Sequence, residues 1–257
     1  MNLASEDIVQ HLLDFRLPFG GLTSHELLLL EVAAFTIGLF WWAARRISTQ
    51  PTKTGMVALL EVGLVWVRDE IVYAWLGPER GRRYLGFFWT LFFFILFSNL
   101  WGLMPFPLNP WDRTATGNLA VTGALAAIVF VMVQVSGMRA HGWGKYWIDL
   151  VPAGMPIYLW PLLFVIELIG IFTKPFALTV RLFANMTGGH AILLVLFSFL
   201  LGVQHYSSPV IGVPSTVASF AFILFITLFE VLIALIQAYI FTVLAAIFTS
   251  LAVAKEH

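Results

Sequence analysis

The chain has 257 residues, 60% of them hydrophobic and 11% charged, and its 14 basic and 14 acidic residues cancel to a formal net charge of zero. An average soluble domain carries roughly 25% charged residues, so this composition, with a mean hydropathy of +0.90, describes a polytopic membrane protein and gives no reason to expect a nucleic-acid partner. The lack of cysteine excludes disulfides, thiolate metal sites and iron–sulfur clusters.

Residues 1–25 are mostly polar and lack the basic start, short apolar core and cleavage site of a signal peptide, so the first helix, after an outside segment over 1–26, is expected to act as an uncleaved anchor. Residues 27–44, 85–104 and 118–138 each approach the ~20 apolar residues that cross a ~30 Å hydrocarbon core. Residues 53–76 differ. Glu61 and Arg68 lie seven apart, Asp69 and Glu70 follow, and apolar residues fill the rest, which suits a helix lying in the interface plane. Residues 157–201 form a long apolar run that Gly170, Pro175 and the Gly188–Gly189 pair are placed to bend. Residues 202–214 (GVQHYSSPVIGVP) carry turn signals and read as a connecting loop. Residues 215–254 contain no Gly, Pro, Asn or Asp, so nothing folds them into two spans. A helix of that length is ~60 Å long and must tilt or protrude.

The expected fold is thus an all-α polytopic membrane domain spanning 1–257, without internal repeats. It has about five embedded helices and one interfacial amphipathic helix, the last two embedded helices forming a long, steeply tilted hairpin. In that topology Arg45, Arg46, Lys53, Arg68, Arg80, Arg82, Arg83, Arg139, Lys145 and Lys255 fall on one side and Arg16 and Arg113 on the other. Ten against two makes the first side cytoplasmic, with the N-terminus outside and the C-terminus inside. Glu31 and Lys255 sit near helix ends, where long side chains snorkel to the interface.

The remaining charges lie at membrane depth. Glu167, Lys174 and Arg181 are spaced by sevens, close to one stripe of a helix with about 20° of drift per step. Glu230 and Gln237 share a stripe of the partner helix, and His190 lies nine residues after Arg181, about half a revolution away. An arginine at this depth costs at least ~2.5–3.5 kcal/mol on insertion scales. Either these groups form an ion-pair network that fixes helix register, or they line an ion path, and intramembrane ionisable groups usually do the second.

Other classes fit less well. HELLL (25–29) opens like a zinc-protease motif but has Leu29 where the second histidine belongs, and the two histidines at depth are too few for a two-haem cytochrome. No metal site or cofactor is expected. The alternative function is a proton-conducting subunit of a respiratory complex.

TVRLFANMTGGH (179–190), preceded by IELIGIFTKPFAL (166–178), together with FSNLWGLMP (97–105) and FEVLIALIQAYIFTVL (229–244), resembles subunit a of the F-type ATP synthases across the whole order of segments. The resemblance implies a non-catalytic stator with two aqueous half-channels against a rotating c-ring. Subunit b of the peripheral stalk and, indirectly, the F1 head would be further partners, and the site would be a bacterial inner membrane rather than a mitochondrial one. By the same resemblance Arg181 matches the essential arginine and Gln237 the glutamine close to it. Asn185 and Asn99 match polar positions of the outer half-channel, and Glu167 the acidic residue of the inner one. His190 and Glu230 match a pair whose identities are exchanged in some bacterial members.

Overall fold

A computed structural model describes residues 24–46, 55–104, 114–148, 150–151, 156–206 and 209–254. Its helices, in order, are α1 (Ser24–Ala44), α2 (Met56–Trp66), a π-helical turn (Val67–Tyr73), α3 (Ala74–Gly81), α4 (Leu85–Gly102), a 3-10 turn (Ala115–Gly117), α5 (Leu119–His141), α6 (Trp143–Ile148), α7 (Trp160–Tyr206) and α8 (Pro209–Val253). Among the described residues five helices are long and apolar enough to cross a membrane, with spans at Glu26–Ala44, Leu85–Gly102, Leu119–His141, Trp160–Leu193 and Thr216–Val253. The all-helical multi-pass fold expected from composition is therefore the one observed. Arg16, Lys53, Arg113 and Lys255 lie outside the described residues, as does the N-terminal segment up to residue 23.

Five threonine hydroxyls of the long helices are satisfied locally. Thr36, Thr173, Thr227, Thr242 and Thr249 each donate to the carbonyl four residues back, at 2.7–2.9 Å, so none presents a bare O–H to hydrocarbon. Pro175, inside α7, removes one backbone N–H, and Thr179 Oγ1 donates to its carbonyl at 2.9 Å.

The expected loop at 202–214 is corrected. α7 runs through Tyr206 and α8 starts at Pro209, leaving only residues 207–208, which lie outside the described set. Proline at a first helical position forfeits no bond, and a lone glycine such as Gly202 costs a helix only about 1 kcal/mol, so neither turn signal stops the helices.

The chain divides into two compact units. The first holds residues up to Leu39, Phe94–Asn118 and Phe183–Gln237. Within it Phe35 of α1 meets Phe97 and Trp101 of α4, ring centroids 5.5 and 5.1 Å apart. Leu28 and Val32 of α1 are buried there too.

The second unit holds Phe40–Phe93, Leu119–Leu182 and the chain from Ala238 on. Trp66 packs against Phe92 and Tyr239, and Trp89 Nε1 donates to the Leu64 carbonyl at 2.9 Å. The π-helical turn buries Val67, Ile71 and Val72 while leaving Asp69 and Glu70 exposed. Arg68 Nε donates to Asp69 Oδ1 at 2.7 Å, and that hydrogen bond holds the Asp69 carboxyl below the usual carboxylate range. The last part of α8 is studded with small buried residues: Ala238, Thr242, Ala245, Ala246 and Thr249 share a face with buried Phe241. Small residues let helix backbones approach closely in membranes, and this end of α8 is fastened further by Ser250 Oγ donating to the Trp75 carbonyl at 2.6 Å.

Candidate functional site

In the first unit α7 and α8 run antiparallel. As the α7 residue advances from Asn185 to Gly189, its α8 neighbour falls back from Gln237 to Glu230. Asn185 Nδ2 donates to Gln237 Oε1 at 2.9 Å, and Gln237 is 1% exposed with its Nε2 left without a partner among the described residues. Four residues on, the helix presents Gly189. A Cβ there would stand 2.5 Å from Glu230 Oε1, so the missing side chain makes room for the carboxyl. Glu230 is 6% exposed, and among the described residues neither of its oxygens has a hydrogen-bond partner. His190 is the next residue of α7; its backbone is helical and its side chain lies outside the described set. Thr187 Oγ1 is also buried without a partner.

Asn99 of α4 is fully buried in the same unit. Its Oδ1 accepts from Thr116 Oγ1 at 2.7 Å, while its Nδ2 and the neighbouring Ser98 hydroxyl have no partner among the described residues. Leaving a buried polar group unpaired costs ~1–3 kcal/mol each, so a run of such groups marks a place built for something other than stability.

In the second unit Glu167, Lys174 and Arg181 fall on the unbroken stretch of α7, as their spacing requires. None of the three has an ion-pair partner among the described residues, so the register-fixing network considered from the sequence is not what holds them. Glu167 and Lys174 line a cavity of about 820 Å³ together with Gln134, His141, Lys145 and Tyr146. Lys174 Nζ also stands 5.5 Å from the centre of the Phe248 ring. Tyr146 donates its phenol to Gln134 Oε1 at 2.7 Å, and burial pushes that phenol up, keeping it a donor. Arg181 is exposed on the outer face of α7, beside exposed Val180 and with Phe176 68% exposed near by. Its guanidinium has no hydrogen-bond partner among the described residues.

Sequence reasoning missed Gly189, Thr187, Ser98 and the Gln134–Tyr146 bond. Only Gly189 left a signal, as half of a glycine pair in mid-span. Serine and threonine are common in membrane helices, and a Gln–Tyr pair twelve residues apart is silent.

The family model described as ATP synthase A chain matches residues 27–250. The chain is 40% identical over 206 residues to ATP synthase subunit a of Myxococcus xanthus, covering 80% of this chain and 66% of that one. It is 38% identical to ATP synthase subunit a of Chloroherpeton thalassium, over 91% of this chain and 67% of that one. With that of Anaeromyxobacter sp. it shares 36% identity, over 79% of this chain and 49% of that one. The chain thus spans about half to two thirds of the length of these curated relatives.

Proposed function

The chain belongs to the ATP synthase A chain family, and from that premise we propose that it is the proton-translocating stator subunit of an F-type ATP synthase in a bacterial inner membrane. One observation carries the reading. Arg181 sits at membrane depth, exposed on an apolar helix face, with no partner of its own chain among the described residues. Buried charges are paired, so the counter-charge comes from another chain. The partner is a ring of c subunits, each bringing a carboxyl past Arg181 in turn.

The chemistry follows from dielectric and charge. A ring carboxyl moving through lipid is neutral because an isolated carboxylate there is prohibitively costly, while beside a guanidinium the ionised form is favoured. Arg181 therefore forces each carboxyl to give up a proton on arrival and take one on departure. Arginine suits the role because it does not deprotonate, whereas a buried lysine can. The transmembrane potential supplies ~2.3 kcal/mol per charge per 100 mV. Asn99, Asn185, Gln237, His190 and Glu230 line the outer half-channel, with Glu230 and His190 relaying the proton and the Asn185–Gln237 bond holding α7 and α8 in register beside Arg181. Glu167 lies on the inner half-channel, in the cavity it shares with Lys174. Subunit b holds the chain to the peripheral stalk, and the F1 head is reached through that stalk.

The test is cross-linking in the whole complex. Ala177→Cys and Ala184→Cys, one turn either side of Arg181 and both exposed, should each form a disulfide with a cysteine introduced beside the ring carboxyl. Arg181→Ala should keep those cross-links and abolish ATP-driven proton pumping. Absence of cross-links in an assembled complex, or coupled pumping by Arg181→Ala at normal subunit levels, overturns the assignment.

A further inference from the structure

We propose that His141 is a positioning residue for the Glu167 cavity, which as an imidazolium fastens the C-terminal end of α8 to that of α5 and on losing its proton releases that wall. The inference rests on the reading of this cavity as the inner half-channel. His141 Nδ1 lies 3.2 Å from the Gly137 carbonyl oxygen and Nε2 lies 3.1 Å from that of Ala254. Carbonyl oxygens only accept, so each contact needs an N–H on the ring. A neutral imidazole has one N–H; the imidazolium has two. Both carbonyls belong to helix C-termini, since His141 ends α5 and Ala254 follows the last residue of α8. The Ala254 carbonyl lies past the last residue of α8, the Gly137 carbonyl one turn before the last residue of α5, and a cation is favoured at the negative end of each helix dipole.

The α5 side of the clamp is rigid. Gly142 takes φ +87°, a left-handed turn that glycine adopts without strain, and its N–H closes the end of α5 on the Met138 carbonyl at 2.8 Å. Tyr146 then folds back over Gly137, leaving no room there for a side chain, and bonds to Gln134. On the α8 side, among the described residues, the last side-chain hydrogen bond to another helix before Ala254 is that of Ser250 Oγ to the Trp75 carbonyl. The charged and titratable groups that share the cavity with His141 are Lys145 and Tyr146 from α6 and Glu167 and Lys174 from α7. The described part of α8 lines it with Phe248, Leu251, Ala252 and Ala254, none of them titratable. A clamp that needs both ring N–H groups is lost when the ring gives up one of them.

The chain has no cysteine, so spin labels are readily placed at Trp143→Cys on α6 and Leu251→Cys on α8, residues 77% and 65% exposed, in the intact complex in nanodiscs. Between about pH 6 and about pH 8.5 the label-to-label distance should pass from one narrow population to a broad one, the pinned-to-released ratio falling about tenfold. His141→Gln should be broad at both pH values, and His141→Arg, with a permanent charge, narrow at both. A wild-type distribution indifferent to pH, or a His141→Gln distribution that titrates like wild type, overturns the proposal. Proton flow at fixed potential is measured alongside. If the distance titrates and proton flow does not, the clamp stands and the half-channel reading of the cavity falls.

Discussion

Gly189 and Glu230 set stability against function at a single contact. A glycine inside a helix costs about 0.8–1.0 kcal/mol relative to alanine, so Gly189→Ala should stabilise α7 locally. The new methyl group would stand 2.5 Å from Glu230 Oε1, and only the flexible end of that side chain can yield. Gly189→Ala should therefore insert, assemble and melt at least as well as the parent while its proton flow falls several-fold, and Gly189→Val should lose more. Stability of the detergent-solubilised complex and proton flow in vesicles measure the two effects separately. Full flow in Gly189→Val would show that the position of the Glu230 carboxyl is immaterial. At this scale the sequence was partly legible: the seven-residue spacings of Glu167, Lys174 and Arg181 and of Glu230 and Gln237 needed only helical periodicity. The contact between Asn185 and Gln237 did not follow from periodicity, because register between two helices depends on packing that no single-helix pattern encodes. It was the family resemblance that singled out both residues.

The halves of α8 are built on different rules. Toward its C-terminal end the buried face is Ala238, Thr242, Ala245, Ala246 and Thr249, while earlier in the helix Val217, Phe220, Leu224 and Leu228 are 63–70% exposed. Ala245→Leu, at a position with no exposed surface, overpacks a close helix contact and should cost about 1–3 kcal/mol, read as a lower melting temperature of the isolated subunit. Leu228→Ala, 70% exposed, should leave that temperature unchanged. Equal effects of the two would mean that the small-residue face is not a packing seam. Length and apolar composition made the long helices readable in advance. The π-helical turn at Val67–Tyr73 was not readable, because a shift to wider hydrogen bonding leaves no mark in residue type; it is fixed by burying Val67, Ile71 and Val72 together. At 202–214 the turn signals were overridden: Pro209 sits at a first helical position, where it forfeits no bond, and Gly202, Gly212 and Pro214 are carried inside the two long helices.

For the whole molecule, the excess of arginine and lysine on one side predicts an outside N-terminus and a cytoplasmic C-terminus. α5, with 23 residues, is ~35 Å long and reaches across the hydrocarbon, which makes its two ends a ruler for topology. A membrane-impermeant thiol reagent applied to intact cells should label Leu119→Cys, 52% exposed at the start of α5, and should reach Trp143→Cys just past its end only in inverted vesicles. Labelling of both from one side would refute the topology. The outward face of the first part of α8 has a mechanical meaning of its own. Phenylalanine, leucine and valine offer a neighbour contact area but no hydrogen bond or small-residue notch in which to seat. A surface of that kind holds its neighbour by area and not by position, so sliding from one position to the next breaks nothing that must be remade. Against the ring proposed above, such a face serves as a bearing: contact area without a fixed seat.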